Sequence, residues 1–253
     1  RNGHVPLTGV EQREQLGTGH AVLQTRPVFS GSRRPAQYLI LNGDTPLLQE
    51  TTVRELLRVH QDEQAVVTIL TAILKDADGY GRVVRQSSTG NQVLRIVEDR
   101  DAEKHERSIR EINAGTYVVD GEFLFSALEQ LRPSNAQGEY YLTDIIQFAV
   151  EQSRRVAAVV LENPEEGLGV NTRLQLAEAE QIIRQNIRRR WLDAGVRMID
   201  PSSAWIDATV TIGRDTVLYP NVILEGSTVI GEDCIVRAGT RITDCTVGDR
   251  VEI

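Results

Sequence analysis

The sequence predicts an α/β fold that gives way, along one chain, to a long helix and then to a parallel β-helix. Three observations carry that expectation. Short apolar, β-branched runs alternate with helix-period segments over residues 1–172, which implies a helix-covered sheet of mostly parallel strands. Residues 173–195 read as one uninterrupted helix. Over 196–253, aliphatic residues return every six positions, at Ile206, Ile212, Leu218, Leu224, Ile230, Val236 and Ile242. A strand repeats every 2 residues and a helix about every 3.6, so neither produces that spacing. A solenoid does, with each hexad forming one side, three sides one coil, and the aliphatics stacked inside. Gly213, Pro220, Gly226, Gly231 and Gly239 fall between them as turn residues. The count slips by one to Val247 and resumes at Ile253, which predicts a local bulge or loop, and no capping segment is recognisable.

Taken in order, the first stretch of interest is Gln12 to His20, which contains Gly17-Thr18-Gly19. The glycines allow close backbone approach, and a helix beginning near Thr18 offers free N–H groups to an acceptor-rich ligand, a phosphate or a base edge. A plain loop is the alternative. Leu39-Ile40-Leu41 carries a buried-strand signature, Gly43 lets the backbone turn, and Asp44 stands just past the strand end, where α/β sheets bind ligands. Asp44 is then either a hard oxygen ligand for Mg²⁺ or a cap for the next helix. Thr51-Thr52 is a cap candidate for a helix carrying Val53, Leu56, Leu57 and His60. Residues 65–72 and 93–97 read as strands, separated by the Asp78-Gly79-Tyr80-Gly81 turn, and Glu98 and Asp99 end the second. A charged, helix-like run covers 101–110, a strand 116–119, a helix 122–131, a helix through Val150, and a strand 156–161. In the long helix, Arg188-Arg189-Arg190 suits a solvated face near the C-terminal end of the dipole better than a phosphate site.

Composition narrows the function classes. A net charge of −8 argues against nucleic acid, and no apolar stretch is long enough to span a membrane. Cys234 and Cys245 lack metal-type spacing and suit reduced thiols in a cytoplasmic protein. The four histidines form no metal motif.

The stretches QLGTGHA, LNGDTPLL, DGYGRV, IVED, REINAGTY, QGEYYLTD and GVNTRLQLAEAE, in that order and followed by hexads, resemble the bacterial bifunctional N-acetylglucosamine-1-phosphate uridylyltransferase/glucosamine-1-phosphate acetyltransferase family. The resemblance implies a Rossmann-like nucleotide-sugar pyrophosphorylase domain (1–172), a linker helix (173–195) and the start of a left-handed, trimerising β-helix (196–253). It implies that Gln12 reads the uracil edge and that Gly17 and Thr18 cradle the base. Asp44 and Asn171 become the Mg²⁺ ligands and catalytic pair. Asn42 and Gly43 join the substrate contacts, with Gly81, Glu98 and Asn113 at the amino sugar and Tyr141 and Thr143 beside it. Read without the family, Glu98 could end a surface strand, Asn113 could be a turn residue and Asn171 a helix cap.

The implied reaction joins UTP and N-acetylglucosamine 1-phosphate, releasing pyrophosphate, in a cytoplasmic homotrimer. Acetyl-CoA is a substrate only of the full-length family. The attacking group is already an anion, so no Ser-His-Asp or Cys-His arrangement is expected. The family's glycine-rich phosphate loop and its later acetyl-transfer coils are not found, and Arg1-Asn2-Gly3 does not resemble a natural start. The expectation is therefore an internal fragment, or an incompletely recorded chain, of a longer enzyme, inactive alone and with Ile40 and Val67 poorly covered. Another sugar-nucleotide pyrophosphorylase with a β-helix, or a non-catalytic assembly subunit of the same fold, are the alternatives.

Overall fold

The computed structural model describes residues 7–29, 35–86 and 92–253, so Arg1-Asn2-Gly3 lies outside the described residues. The chain divides into two compact units, Arg1–Gly169 and Val170–Ile253.

The first unit holds one mixed sheet. Its strands are β1 (Gln37–Ile40), β2 (Val67–Ile73), β3 (Arg82–Arg85), β4 (Val93–Val97), β5 (Glu111–Asp120) and β6 (Val156–Val160). Its helices are α1 (Thr18–Gln24), α2 (Glu50–Asp62), α3 (Gly121–Leu128) and α4 (Asp144–Glu151). The order is β4-β3-β5-β2-β6, with β1 also on β5. The expected mostly parallel sheet is corrected here. Among the described residues only β2 and β6 pair in parallel, while β5 runs antiparallel to β1, β2 and β3, and β3 to β4. No α-helix is described between β2 and β5, and parallel pairing needs a long crossover.

Both faces of the sheet are covered. Val67 and Ile69 pack with Phe123, Leu124, Ile145 and Ile146 on one face. Leu70 and Ala72 pack with Leu56 of α2 on the other. Val67 is fully buried, against the expectation of poor cover, and Ile40 is half-buried. Leu39 and Leu41 are exposed instead: Tyr38 and Ile40 face the core from β1, and Leu39 alternates to the opposite face.

Two local expectations also change. Helix α2 begins at Glu50, so Thr51 and Thr52 lie inside it; the Glu166 carboxylate accepts from the Gln49 N–H (3.1 Å) and the Thr52 hydroxyl (2.6 Å) in place of a local cap. The charged run 101–110 forms only a 3₁₀ turn at Glu106–Ser108. Its buried Glu106 carboxylate takes the Arg95 guanidinium at 2.6 Å and the Glu103 N–H at 2.9 Å, which ties the run down as a turn.

The second unit opens with α5 (Arg173–Asp193), whose N-cap is Thr172. The Thr172 hydroxyl accepts from the Gln175 N–H, and the Gln175 side chain accepts in return from the Thr172 N–H, a complete capping box. Ile187 and Trp191 of α5 pack on the solenoid core. Arg188 and Arg190 donate to the carbonyls of Ser202 and Ala208 at 3.3 and 3.4 Å.

The solenoid follows the hexad count. Ile206 pairs with Leu224, Ile212 with Ile230, Leu218 with Val236 and Leu224 with Ile242, each 18 residues apart and parallel. All seven hexad aliphatics from Ile206 to Ile242 are buried. The predicted slip is real: Ile230 pairs with Val247, 17 residues on. A second inward ladder, two residues ahead of the first, escaped the sequence reading: Val210, Thr216, Val222, Thr228 and Cys234 are at most 1% exposed. Its hydroxyls are satisfied, Thr216 on the Gly231 carbonyl (2.8 Å) and Thr228 on that of Glu225 (2.6 Å). Corners with left-handed backbone fall on Asp215, Asn221, Asp233 and Gly239, the residue types that tolerate it. Both cysteines are free, Cys234 buried and Cys245 exposed.

Candidate active site

In the first unit, most of the residues singled out in the sequence meet along one continuous path of contacts, from Gln12 to Asn42. It starts at the Gly17 turn. Gly17 has φ +107° and ψ 175°, a region open essentially to glycine alone. A side chain there would stand 2.7 Å from the Tyr140 carbonyl oxygen. That approach is fixed by two backbone bonds, Tyr140 N–H to the Leu16 carbonyl and Gly19 N–H to the Tyr140 carbonyl, each 2.8 Å. The Gln12 carboxamide lies over this turn, donating to the Gly17 carbonyl at 3.1 Å.

The path continues through residues 140–144. The Thr18 hydroxyl accepts from the Leu142 N–H at 3.0 Å. One residue on, the Thr143 hydroxyl donates to Glu98 Oε1 at 3.0 Å instead of capping α4. Glu98 Oε2 faces Gly81, where a Cβ would come within 3.3 Å of it. Gly81 in turn holds β5, its carbonyl accepting from the Asn113 N–H at 2.8 Å. The Asn113 amide donates to the buried Tyr117 hydroxyl (2.6 Å), and its oxygen accepts from the Gly115 N–H (3.1 Å). Gly115 has φ +71°, and the Asn42 carboxamide fills the space a Cβ would take.

Asp44 lies two residues beyond Asn42, exposed and without an ion pair among the described residues. It does not cap α2, whose N-cap is Gln49. Gly43 has open space above it and no left-handed φ, so the turn there does not require glycine, contrary to the sequence reading. Asn171 belongs to the second unit. Its capping alternative is removed, since Thr172 caps α5 while the Asn171 N–H donates to Gln175 Oε1 at 2.8 Å.

Burial sets the electrostatics around Glu98. Burial raises the Glu98 carboxyl above its ordinary range; the Thr143 hydrogen bond opposes this, and Asp144, Asp101 and Asp99 add to it. Asp144 is pushed up to about 6 by burial and by Asp101. Burial also raises Tyr141, whose hydroxyl accepts from Gln137 (2.9 Å) and donates to Asp101 (3.2 Å). Glu98, Asp101, Tyr141 and Asp144 line a cavity of about 360 Å³ with Arg95 and Arg132. A half-buried carboxylate beside an amide and a glycine-lined wall offers acceptors to a hydroxyl-rich ligand. Among the described residues, no group of three or more His, Cys, Asp or Glu could hold a metal ion. No described helix is long and apolar enough to cross a membrane.

Three members of this network were not assigned from sequence. Tyr117 closes the REINAGTY stretch but was given no role there. His20 was visible in the GTGH stretch, and it lies 3.0 Å from the Gln12 amide through Nδ1. Arg82 follows Gly81; its wholly buried guanidinium donates to the Tyr80 carbonyl and reaches Asp99 at 3.1 Å.

Comparison with known proteins bears on the chain as a whole. Residues 209–244 match the bacterial transferase hexapeptide (six repeats) family. The chain is 46% identical to the bifunctional protein GlmU of Heliobacterium modesticaldum over 96% of its length. It is 45% identical to that of Limosilactobacillus reuteri and 43% to that of Listeria welshimeri, again over 96%. The chain is similar to bifunctional GlmU proteins over nearly its whole length. It spans about half the length of the curated relatives it matches, 52% of each of these three. A crystal structure of UDP-glucose pyrophosphorylase complexed with UDP-glucose is similar in fold, with a TM-score of 0.51 at 13% identity, covering 69% of this chain and 64% of that one. That likeness is one of fold.

Proposed function

We propose that this protein transfers a uridylyl group from UTP to N-acetylglucosamine 1-phosphate, giving UDP-N-acetylglucosamine and pyrophosphate. The observation that carries this reading is the path from Thr18 to Glu98. One short segment, Leu142-Thr143, hydrogen-bonds a glycine-built base cradle on one side and a half-buried carboxylate on the other. A nucleotide held by Gln12, Gly17 and Thr18 then has its sugar partner within reach of Gly81, Glu98 and Asn113, with Thr143 orienting Glu98 and Tyr141 bordering it. Asn42 and Gly43 leave an open approach to the strand end.

A phosphate oxygen of the sugar phosphate attacks the α-phosphorus of UTP, and the bond from that phosphorus to the bridging oxygen of pyrophosphate breaks. No side-chain nucleophile is required; the chain's residues bind and align the two substrates. Asp44 would hold Mg²⁺, the role for which the resemblance also names Asn171. An exposed carboxylate free of ion pairs fits a hard cation that takes its other ligands from phosphate oxygens and water. When bound, the cation supplies charge neutralisation at the phosphates. The domain limits 1–172, 173–195 and 196–253, a homotrimer, a cytoplasmic location and acetyl transfer from acetyl-CoA by the whole protein belong to the same proposal.

The test is pyrophosphate release from UTP and N-acetylglucosamine 1-phosphate, with and without Mg²⁺, by the protein expressed from its own gene. Asp44→Ala is expected to abolish turnover with an unchanged melting curve, since the wild-type side chain is exposed and touches nothing structural. Normal turnover by Asp44→Ala would overturn the assignment. A preference for another nucleotide or sugar phosphate would transfer the reading to a related pyrophosphorylase.

A further inference from the structure

We propose that His20 locks the Gln12 carboxamide in one orientation, and that this lock makes the site select a base with a ring N–H over one with a bare ring nitrogen. The inference rests on the reading of Gln12 as the residue that meets the base.

The argument is one of hydrogen-bond valence. Gln12 Nε2 lies 3.1 Å from the Gly17 carbonyl oxygen and 3.0 Å from His20 Nδ1. A carbonyl only accepts, so the end of the amide facing Gly17 is the NH₂ group. Its two hydrogens go to the Gly17 oxygen and to His20 Nδ1, which therefore accepts. A neutral imidazole that accepts at Nδ1 carries its proton on Nε2. That Nε2–H points at the Gln24 carboxamide, 3.0 Å away, and the end of Gln24 that suits it is the oxygen. Turned this way, Gln24 gives up a 3.3 Å bond to the His20 carbonyl, the longer of the two amide–carbonyl bonds in the group. The opposite tautomer would press the Gln12 oxygen against the Gly17 oxygen at the shorter distance.

The consequence falls on the one atom left over. Among the described residues nothing donates to Gln12 Oε1, so the amide presents a pure acceptor. Uracil offers an N3–H between two carbonyls and is complementary to it. Cytosine offers a lone pair at N3 and is repelled. Without the lock, the amide turns over and presents NH₂ equally well, and discrimination falls. His20 thus acts through Gln12 as a positioning residue.

The experiment measures equilibrium binding of UTP and CTP, and kcat/KM for each, on wild type, His20→Phe and His20→Asn of the protein expressed from its own gene. His20→Phe keeps a ring but has no acceptor, and is expected to lower the UTP-over-CTP ratio by about tenfold while leaving KM for the sugar phosphate unchanged. His20→Asn restores an acceptor near the Nδ1 position and is expected to keep most of the preference. Gln24→Met, which removes the acceptor holding the proton on Nε2, lowers the ratio in the same direction and serves if His20→Phe melts early. An unchanged ratio in His20→Phe or Gln24→Met, equal loss in the Asn and Phe variants, or a wild type that binds both nucleotides equally overturns the inference. A wild type that prefers UTP but releases no pyrophosphate overturns the proposed reaction alone, and the binding ratios still decide the role of His20.

Discussion

Replacing Gly17 by alanine tests whether the fold itself builds the base cradle. The backbone there, at φ +107° and ψ 175°, lies in a region that costs a non-glycine residue about 1–3 kcal/mol. The new methyl group would also stand 2.7 Å from the Tyr140 oxygen and 2.9 Å from the Glu139 Cβ. Tyr140 cannot yield freely, because its N–H and carbonyl are bonded to Leu16 and Gly19 at 2.8 Å each. Overpacking against fixed backbone adds to the conformational cost, for a total of about 2–4 kcal/mol. At about 2–4 °C per kcal/mol for a unit of this size, the first melting transition should fall by roughly 5–15 °C. Gly43→Ala is the control, since nothing lies within 4 Å of its Cβ position. It should change stability by less than about 0.5 kcal/mol. Differential scanning calorimetry on both variants reads the contrast, and titration with UTP reads whether the cradle is lost with the turn. A Gly17→Ala protein melting within about 2 °C of wild type would show that the close approach to Tyr140 is not a constraint.

Arg82 and His60 carry two further predictions. The wholly buried Arg82 guanidinium leaves Nε and Nη2 without hydrogen bonds, and its ion-pair partners Asp99 and Asp78 are exposed enough to rehydrate; Arg82→Met should therefore be within about 1 kcal/mol of wild type in urea unfolding, while Arg82→Ala, which adds a cavity, should lose about 2–5 kcal/mol, and equal losses would refute this. His60, buried on α2 with Nδ1 2.8 Å from the Thr68 hydroxyl, has its pKa lowered by burial, which outweighs the opposing effect of Asp120. The unfolded chain then binds more protons between that lowered value and 6.5, so the His60 contribution is present above 6.5 and is lost as pH falls through this window. Asp144, raised to about 6, works in the opposite sense, its contribution lost as pH rises from 3.8 towards about 6. The difference between wild-type and His60→Asn unfolding curves isolates the histidine, and a difference that does not vary between pH 5 and 6.5 would contradict it.

The solenoid was legible because its signal is periodic and local. Each of the aliphatics from Ile206 to Ile242 announces its own position, and the one-residue slip before Val247 appears unchanged as a 17-residue coil. The second ladder from Val210 to Cys234 was missed because it mixes valine, threonine and cysteine, which carry no common hydropathy. Strand direction in the first unit was illegible for a different reason. Apolar runs such as 65–72 and 116–119 mark strands but not their sense, and the reversal of β5 follows from connections that hydropathy does not encode. At the candidate site, residue types pointed to individual positions but not to partners. The resemblance puts Thr143 beside the amino sugar, and nothing in its type announces that its hydroxyl donates to Glu98. Asn171 looked like a cap, and Thr172 takes that role.

The reversal of β5 also explains why scattered motifs converge. β5 is ten residues long and β2 pairs along most of one edge. The other edge is shared: β1 pairs from Asp120 down to Tyr117, and β3 pairs only at Ile112. Residues 113–116 therefore face a gap between the end of β1 and the beginning of β3. A gap in a sheet leaves backbone groups to be satisfied locally, and they are: the Asn113 N–H goes to Gly81, and the Gly115 N–H goes to the Asn113 side chain. The chain leaving β1 brings Asn42 to this gap, and the chain entering β3 brings Gly81. Glu98 arrives because Val97 of β4 pairs with Arg82, one residue after Gly81. A shared, incompletely filled strand edge is thus the structural cause that draws residues 42, 81, 98, 113 and 115 together. A parallel sheet continuously paired along β5 would have had no such opening.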